Sequence, residues 1–480
     1  MDVYLIAIGG TGTAPLACLL QEQGHRVRGA DGPLYPPMST LLEAAGIRPH
    51  VGWDPAHLDP APDLVIVGNA VPRDNPEALE AERRGLPRLS MPEALARFFL
   101  AGRRPLVVAG THGKTTTTAL AAWVWSRCGA DPGYLVGGVP LGLPGSFRAG
   151  AGERFIVEGD EYNAAYFDRG PKFLHYRPET LILTSVEHDH ADLYPTPASL
   201  HAAYRELLAR LPADGLAIVC AGDRDAVALA RAAAPCRVLT YGLDPPAGAA
   251  APDLAPLGGV EEADGGCRFR VADPEAGEIG EVEIRLALAG RHNAENALAV
   301  WAAARADGLP AAAVAEALAS FEGVKRRQEE LGTAAGVTVV DDFAHHPTAV
   351  RRTLEALAGR YGVHDGGGRR LVACFEPRSL TAGRAHLAAA YAEAFSAAGA
   401  VLLAPVFHAR RLGPDQILDR EALADDLAAR GVDARACASI DDLLAQALDL
   451  ARPGDVLVTM SSGSFDGLPR RLLEALRARA

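Results

Sequence analysis

The chain has 480 residues, 49% of them hydrophobic, and a formal net charge of −13. By length it should hold about three domains and bury several cores, while its acidity argues against a nucleic-acid or anionic-membrane surface. Seven cysteines are scattered with no C-x-x-C pair, which points to free thiols in a reducing cytosol, and so to a cytoplasmic protein, not to a disulfide framework.

The start, MDVYLIAIGG, has no basic segment before its apolar run and reads as a buried strand, not a signal peptide. No apolar run approaches the ~18 residues of a membrane span. Residues 1–103 read as a small α/β domain. Val3–Ile8 is a strand, Gly9-Gly10-Thr11-Gly12 a glycine turn, 13–23 a helix, and Arg26–Ala30 a strand ending at Asp31. A further strand, Leu64–Val67, leads into Gly68-Asn69-Ala70. The beginning is Rossmann-like, with Asp31 where a ribose-binding acid belongs, but the G-x-G-x-x-G fingerprint is incomplete, with Pro15 at its last position. The turn is either a ligand site or a plain glycine turn.

Arg103-Arg104-Pro105 marks a boundary, and a second α/β domain spans 104–325. Leu106–Thr118 reads strand, loop, helix: an apolar run, then Gly110-Thr111-His112-Gly113, then Lys114, Thr115 and Thr116 opening a helix that stops at Gly129. Such a loop and helix N-terminus favour an anion through their N–H groups. Lys114 would reach the β/γ-phosphates of a nucleotide, and the Thr115 hydroxyl would sit on Mg²⁺. The strict G-x-x-x-x-G-K-[ST] pattern fails at Val108, where its first glycine would fall. Two later strands, Phe155–Val157 and Leu181–Thr184, lead into acid clusters, Glu158-Gly-Asp160-Glu161 and Glu187-His188-Asp189-His190. Ligands in open α/β sheets bind beyond the carboxyl ends of strands, so one site could collect all three. The carboxylates suggest Mg²⁺ beside a triphosphate, or solvated loops; histidine is an unusual Mg²⁺ ligand. Asp244–Gly266, rich in Pro, Gly and Ala, reads as a loop within this domain. In Gly290-Arg-His292-Asn293-Ala-Glu-Asn296, Asn293 and Asn296 share a helix face, either to read an adenine or ribose or to cap the helix.

Residues 326–480 form a third α/β unit, with strands at Val337–Val340, Arg370–Phe375, Ala400–Leu403 and Asp455–Thr459 and helices between them, implying a mainly parallel sheet covered on both faces. At its start, Lys325-Arg326-Arg327 is either a γ-phosphate clamp or a solvated face. Asp341-Asp342-Phe-Ala-His345-His346-Pro347 follows a strand, and its histidines could be a general base, a metal ligand or structural.

Together these pieces resemble the Mur ligase family, ATP-dependent ligases that add amino acids or peptides to UDP-muramoyl precursors. GGTG, AGTHGKTTTT, EGDEY, VEHDHADLY, GRHNAENALA, GVKRRQE and DDFAHHPTA occur in family order over roughly three-quarters of the chain. The resemblance implies an α/β fold of three domains: a Rossmann-like N-terminal UDP-binding domain, a central P-loop-type ATPase domain and a C-terminal Rossmann-like α/β ligase domain. YPPMSTLLE (35–43), VGNAVPRDNP (67–76), GYLVGGVP (133–140), YFDRGPKFLHYRP (166–178) and FEPRS (375–379) are similar to the branch that joins L-alanyl-γ-D-glutamyl-meso-diaminopimelate to UDP-N-acetylmuramate in peptidoglycan recycling. The alternative within the family is the L-alanine-adding ligase of de novo synthesis. A distant alternative is a nicotinamide-dependent oxidoreductase built on the N-terminal unit.

The resemblance implies residue roles as well. ATP and Mg²⁺ are the expected cofactors. Lys114 and Thr115 would hold phosphates and one Mg²⁺, with Glu158 ligating that ion and His190 a second. His292, Asn293 and Asn296 would hold the adenine end, Arg327 the γ-phosphate and Asp342 the ribose. His345 would lie near the reacting groups. Gly10, Thr11, Gly12, Asp31 and Asn69 would belong to the UDP-sugar site. Arg378 is a candidate for the diaminopimelate end, because Arg pairs with carboxylates in fork geometry. Substrates, and neither nucleic acid nor membrane, are the partners implied; oligomeric state carries no signal. Two positions depart from the family pattern: Asn163 where Asp is usual, and Ser185 where Asn is usual. No lysine stands between His201 and Pro212, so the carbamylated lysine that bridges Mg²⁺ in some relatives has no equivalent there.

Overall fold

A computed structural model describes residues 1–191, 193–263, 265–273, 280–363 and 368–479. It forms two compact units. One comprises 1–188, 196–255 and 296–317; the other comprises 189–195, 256–295 and 318–480.

The first unit carries two sheets. The N-terminal sheet is wholly parallel, with strands in the order His50–Val51, Arg26–Asp31, Asp2–Ile6, Leu64–Val67 and Arg88–Ser90. Val3–Ile6 and Leu64–Val67 are buried throughout, as strands covered on both faces must be. The first strand stops at Ile6, earlier than the apolar run, because Ala7 turns to φ +62° and starts the glycine turn. The second sheet runs Arg237–Tyr241, Leu216–Cys220, Thr180–Leu183, Arg104–Ala109, Arg154–Gly159, Gly133–Leu135 and Phe147–Arg148, with only the last pair antiparallel. Arg104–Ala109 is flanked by Thr180–Leu183 and Arg154–Gly159, with Ala109 in register with both Leu183 and Gly159. The three strand ends therefore lie side by side. Glu158 sits within its strand, not after it.

The second unit also carries two sheets. One is antiparallel: Leu257–Ala263, Gly266–Ala272 and Glu281–Leu286. The stretch 244–266 is thus not all loop. Its last third is an edge strand, exposed at nearly every residue, which a strand read from burial would miss. Position 264 of that stretch and position 192 of VEHDHADLY lie outside the described residues. The other sheet has the order Glu329–Ala334, Val337–Asp342, Val456–Met460, Leu371–Phe375, Ala400–Leu403 and Asp433–Ala436, parallel except for its first pair. Its two faces bury separate apolar clusters, one around Phe375, Tyr391 and Phe395 and the other around Phe465, Leu468 and Leu472. The fold is α/β throughout, and no described helix is long and apolar enough to cross a membrane.

Candidate functional site

The phosphate loop closes strand Arg104–Ala109 and opens helix Lys114–Arg127. Gly110 has φ +131° and Gly113, the N-cap, φ +80°, conformations that side-chain-bearing residues rarely adopt. The loop is strapped to the end of the neighbouring strand. Thr111 donates its N–H to the Ser185 carbonyl at 3.0 Å. The Thr111 hydroxyl donates to the Glu187 carbonyl and accepts from the Glu187 N–H, each at 2.9 Å. The His112 N–H reaches the Ser185 hydroxyl at 3.1 Å, and its ring meets the Glu187 carboxylate at 2.8 Å. The serine at 185 therefore keeps a hydrogen bond to the loop.

Lys114 folds back over this loop. Its ammonium donates to the Gly110 carbonyl at 2.6 Å and lies 2.9 Å from a Glu161 carboxylate oxygen. Burial by itself pulls its pKa down, but the carboxylates of Glu161, Asp160 and Glu158 outweigh that, and the net shift is upward. Asp160 pairs with Lys172 at 2.7 Å; burial opposes its ionisation, yet Lys172 and Lys114 hold its pKa below the usual range. No local pattern pairs Lys172 with Asp160, because the contact folds back across an irregular segment.

The Thr115 hydroxyl lies 3.0 Å from Glu158 Oε1, while Glu158 Oε2 accepts from the Gly137 N–H at 2.8 Å. A hydroxyl and a carboxylate oxygen thus converge one residue beyond the loop lysine. Oxygen donors of this kind fit Mg²⁺. Thr116 is half-buried on the same helix. Asn296 stands against the loop: a Cβ on Gly113 would fall 2.9 Å from Asn296 Oδ1. In the N-terminal sheet, Asp31 accepts from the Gly9 and Gly32 N–H groups, both at 2.7 Å. Its carboxylate shapes the turn at Gly10, Thr11 and Gly12, the first two exposed, and Asn69 is exposed in the turn after strand Leu64–Val67.

In the second unit, His190 has φ +53°, and its carbonyl accepts from Leu193 and Tyr194. Asp189 beside it is 5% exposed. Burial alone would raise its pKa, but the imidazoles of His190, His345 and His346 hold the carboxyl well below the usual range. His345 is kept in place by its Nδ1 contact to the Phe343 carbonyl at 3.0 Å, and burial lowers its pKa, with Asp189 opposing. Asp342 accepts from the N–H groups of Gln328 and Ala344, both at 2.7 Å, and burial raises its pKa against the pull of Arg327. Arg327 lies 4.8 Å from the Phe343 ring centroid. Its neighbour Arg326, at φ +60°, turns to Asp341 and to the carbonyls of Ser461 and Gly463. Arg326 also lies over the Phe343 ring, 5.3 Å from its centroid, so the two arginines share one aromatic neighbour. His292 is pushed down to about 3 by burial, with Arg352 adding to the effect, so it is neutral. Asn293 donates from its side-chain amide to the Ala289 carbonyl, four residues back, at 2.8 Å. Arg378 lies in this unit, between Phe407 and Gly463.

A glycine-bounded loop at the end of a parallel strand, with lysine, hydroxyl and carboxylate gathered at its helix, defines an α/β phosphate-binding protein. Family models match the chain in three blocks: the Mur ligase family catalytic domain over residues 2–103, the Mur ligase middle domain over 108–304 and the Mur ligase glutamate ligase domain over 326–463. The UDP-N-acetylmuramate--L-alanyl-gamma-D-glutamyl-meso-2,6-diaminoheptandioate ligase of Escherichia coli K12 is 37% identical, over 100% of this chain and 99% of its own. A UDP-N-acetylmuramate--L-alanine ligase of Mycobacterium ulcerans is 36% identical, over 100% of this chain and 95% of its own. The crystal structure of a murein peptide ligase from Psychrobacter arcticus superposes with a TM-score of 0.72 at 32% identity, covering 99% of each chain. The chain belongs to the Mur ligase family. The oxidoreductase alternative falls with that membership.

Proposed function

We propose that this protein is an ATP-dependent, amide-bond-forming ligase acting in the cytoplasm in peptidoglycan recycling. It joins L-alanyl-γ-D-glutamyl-meso-diaminopimelate to UDP-N-acetylmuramate. The observation that carries the reading is the full-length similarity to a ligase of that name at 37% identity. The strapped loop supports ATP as the phosphoryl donor. We place the domain boundaries at 103/104 and 325/326.

In the proposed reaction the lactyl carboxylate attacks the γ-phosphate of ATP, giving an acyl phosphate and ADP. The peptide's α-amine then attacks the acyl carbon and releases phosphate. A carboxylate is a poor acylating agent, and phosphorylation supplies its leaving group. Lys114 exchanges the Glu161 carboxylate for phosphate oxygens, and with Arg327 it stabilises charge on the transferring group, the main task of protein in such transfers. Thr115 and Glu158 would hold Mg²⁺, which supplies charge neutralisation on the phosphates; His190 is proposed for a second ion. Asn296, His292 and Asn293 are assigned to the adenine end and Asp342 to the ribose. The glycine turn at 9–12, with Asp31 and Asn69, is assigned to the UDP-sugar. His345, neutral through burial, is assigned to take the proton of the attacking amine.

The 36% identity to an L-alanine-adding ligase favours one second reading, with the same chemistry and a smaller acceptor. Phosphate release from ATP with Mg²⁺ and UDP-N-acetylmuramate decides between them. Release with the tripeptide and not with L-alanine, with UDP-muramoyl-tripeptide found by mass, is the expected result. Release only with L-alanine would move the chain to the second reading, and release with neither would sink both.

A further inference from the structure

Arg378 follows strand Leu371–Phe375 in the second unit and is held in an unusual way. Its guanidinium carbon lies 3.8 Å from the centroid of the Phe407 ring. On the backbone of Gly463, a Cβ would fall 1.9 Å from Arg378 Nε and 2.2 Å from both Cδ and Cζ. The guanidinium therefore lies between an aromatic face and bare main chain. Arg378 Nη1 donates to Glu376 Oε2 at 3.4 Å; Glu376 is 3% exposed and accepts from the Ser461 hydroxyl. Nε and Nη2 make no hydrogen bond to any described residue. Phe407 is 51% exposed, so the aromatic side of this stack faces solvent.

This is the construction of a carboxylate receptor. The pair of donors on the Nε–Nη2 edge matches the two oxygens of a carboxylate, and a guanidinium held flat loses little freedom when it binds. We propose that Phe407 and Gly463 are specificity-determining positioning residues, which clamp Arg378 so that its open edge takes a carboxylate of the amine-bearing acceptor. The inference rests on the ligase reading above and adds to it the parts that make Arg378 selective.

The test is the steady-state KM for the acceptor in the full-length protein. Wild type is first given the tripeptide and L-alanine, and the acceptor it uses is carried forward. F407A removes the ring. G463A inserts a methyl where the guanidinium lies; because the group that must move is the end of a flexible side chain, the fold should survive, and unfolding midpoints check this. F407Y keeps the ring face. We expect KM for the acceptor to rise about tenfold in F407A and G463A, with kcat changing less than about threefold, and F407Y to restore KM. An unchanged KM in F407A and G463A overturns the clamp. So does a parallel fall in kcat that F407Y does not repair, because that is the mark of general structural damage. If wild type uses L-alanine alone, the tripeptide reading falls. The clamp is then judged on KM for L-alanine, which also carries a carboxylate.

Discussion

Replacing Gly110 by alanine should disable the enzyme far more than the same change at Gly113, although both are loop glycines with positive φ. At Gly110 the new Cβ would lie 2.2 Å from the Thr184 hydroxyl, 2.8 Å from the Ser185 N and 2.9 Å from the Ser185 O. The Ser185 atoms are backbone. The Thr184 hydroxyl shares its one proton between the His112 carbonyl at 2.6 Å and the Ala109 carbonyl at 3.2 Å, so it cannot rotate away without losing that bond. Carbon and oxygen settle at about 3.5 Å, so the loop must lift by roughly 1 Å. A displacement of that size at a reacting centre costs about 100-fold, or about 2.7 kcal/mol of barrier. Holding alanine at φ +131° adds about 1–3 kcal/mol of strain to folding.

At Gly113 the nearest atom is Asn296 Oδ1, at 2.9 Å from the new Cβ, and it is the tip of a side chain. The left-handed backbone costs about 1 kcal/mol, and the tip can give way. G113A should therefore lose no more than about tenfold in kcat/KM for ATP, since each tenfold is about 1.4 kcal/mol. The assay is phosphate release at varied ATP with the other substrates saturating, alongside urea unfolding to confirm that both variants fold. A folded G110A within threefold of wild type, or no worse than G113A, refutes the claim that the strap to Thr184 and Ser185 positions the loop.

Ser185→Ala removes the acceptor of the His112 N–H and should raise KM for ATP about fivefold, the cost of one partly buried hydrogen bond; an unchanged KM would show that the backbone straps suffice. Asp307 is bonded to Arg154, Arg104 and the Trp125 indole, and its side chain and that of Arg154 are only 5% and 6% exposed. Asp307→Asn should cost about 3 kcal/mol in urea unfolding, because it strands a buried guanidinium, with Glu179 at 3.4 Å softening the loss. His292 has a folded pKa of about 3, below its unfolded value of 6.5. Between those values the unfolded chain binds the extra proton, so this group's stability is present above pH 6.5 and is lost as pH falls towards 3. Wild type should lose about 1.4 kcal/mol per pH unit from this source below pH 6, a slope that His292→Gln should remove in urea titrations at pH 7, 6 and 5.

Much of the site could be read locally, because its parts are consecutive in the chain. Gly110 to Thr115 announce a turn, a helix start and a hydroxyl without reference to anything distant. The three strands that carry the loop and the acids are legible within a few residues, since each is an apolar run with a buried core. What the sequence hid was held by distance. Thr111 and His112 meet Ser185 and Glu187 across 73 to 76 positions, and no local pattern says that Glu187 braces a loop. The edge strand Leu257–Ala263 was hidden for the opposite reason: its neighbour's hydrogen bonds, not burial, make it a strand.

Lys325-Arg326-Arg327 shows why a charge run resists a single reading. Successive residues of an extended or turning chain point in different directions, and here the turn is sharpened by positive φ at Arg326 and Gln328. Arg326 is spent on Asp341, at the end of strand Val337–Asp342, and on the Ser461 and Gly463 carbonyls just beyond the neighbouring strand Val456–Met460, where charge-assisted hydrogen bonds tie the two strand ends together. Arg327 lies 4.8 Å from the Phe343 ring centroid, a contact worth about 0.5–1 kcal/mol. Both guanidinium groups lie over the Phe343 ring, so what sets Arg326 apart within the run is its bonding to the Asp341 carboxylate and two carbonyls. Arg378 combines the two kinds of contact, lying 3.8 Å from the Phe407 ring centroid and donating to Glu376 at 3.4 Å, and its Nε–Nη2 edge is what remains for a carboxylate.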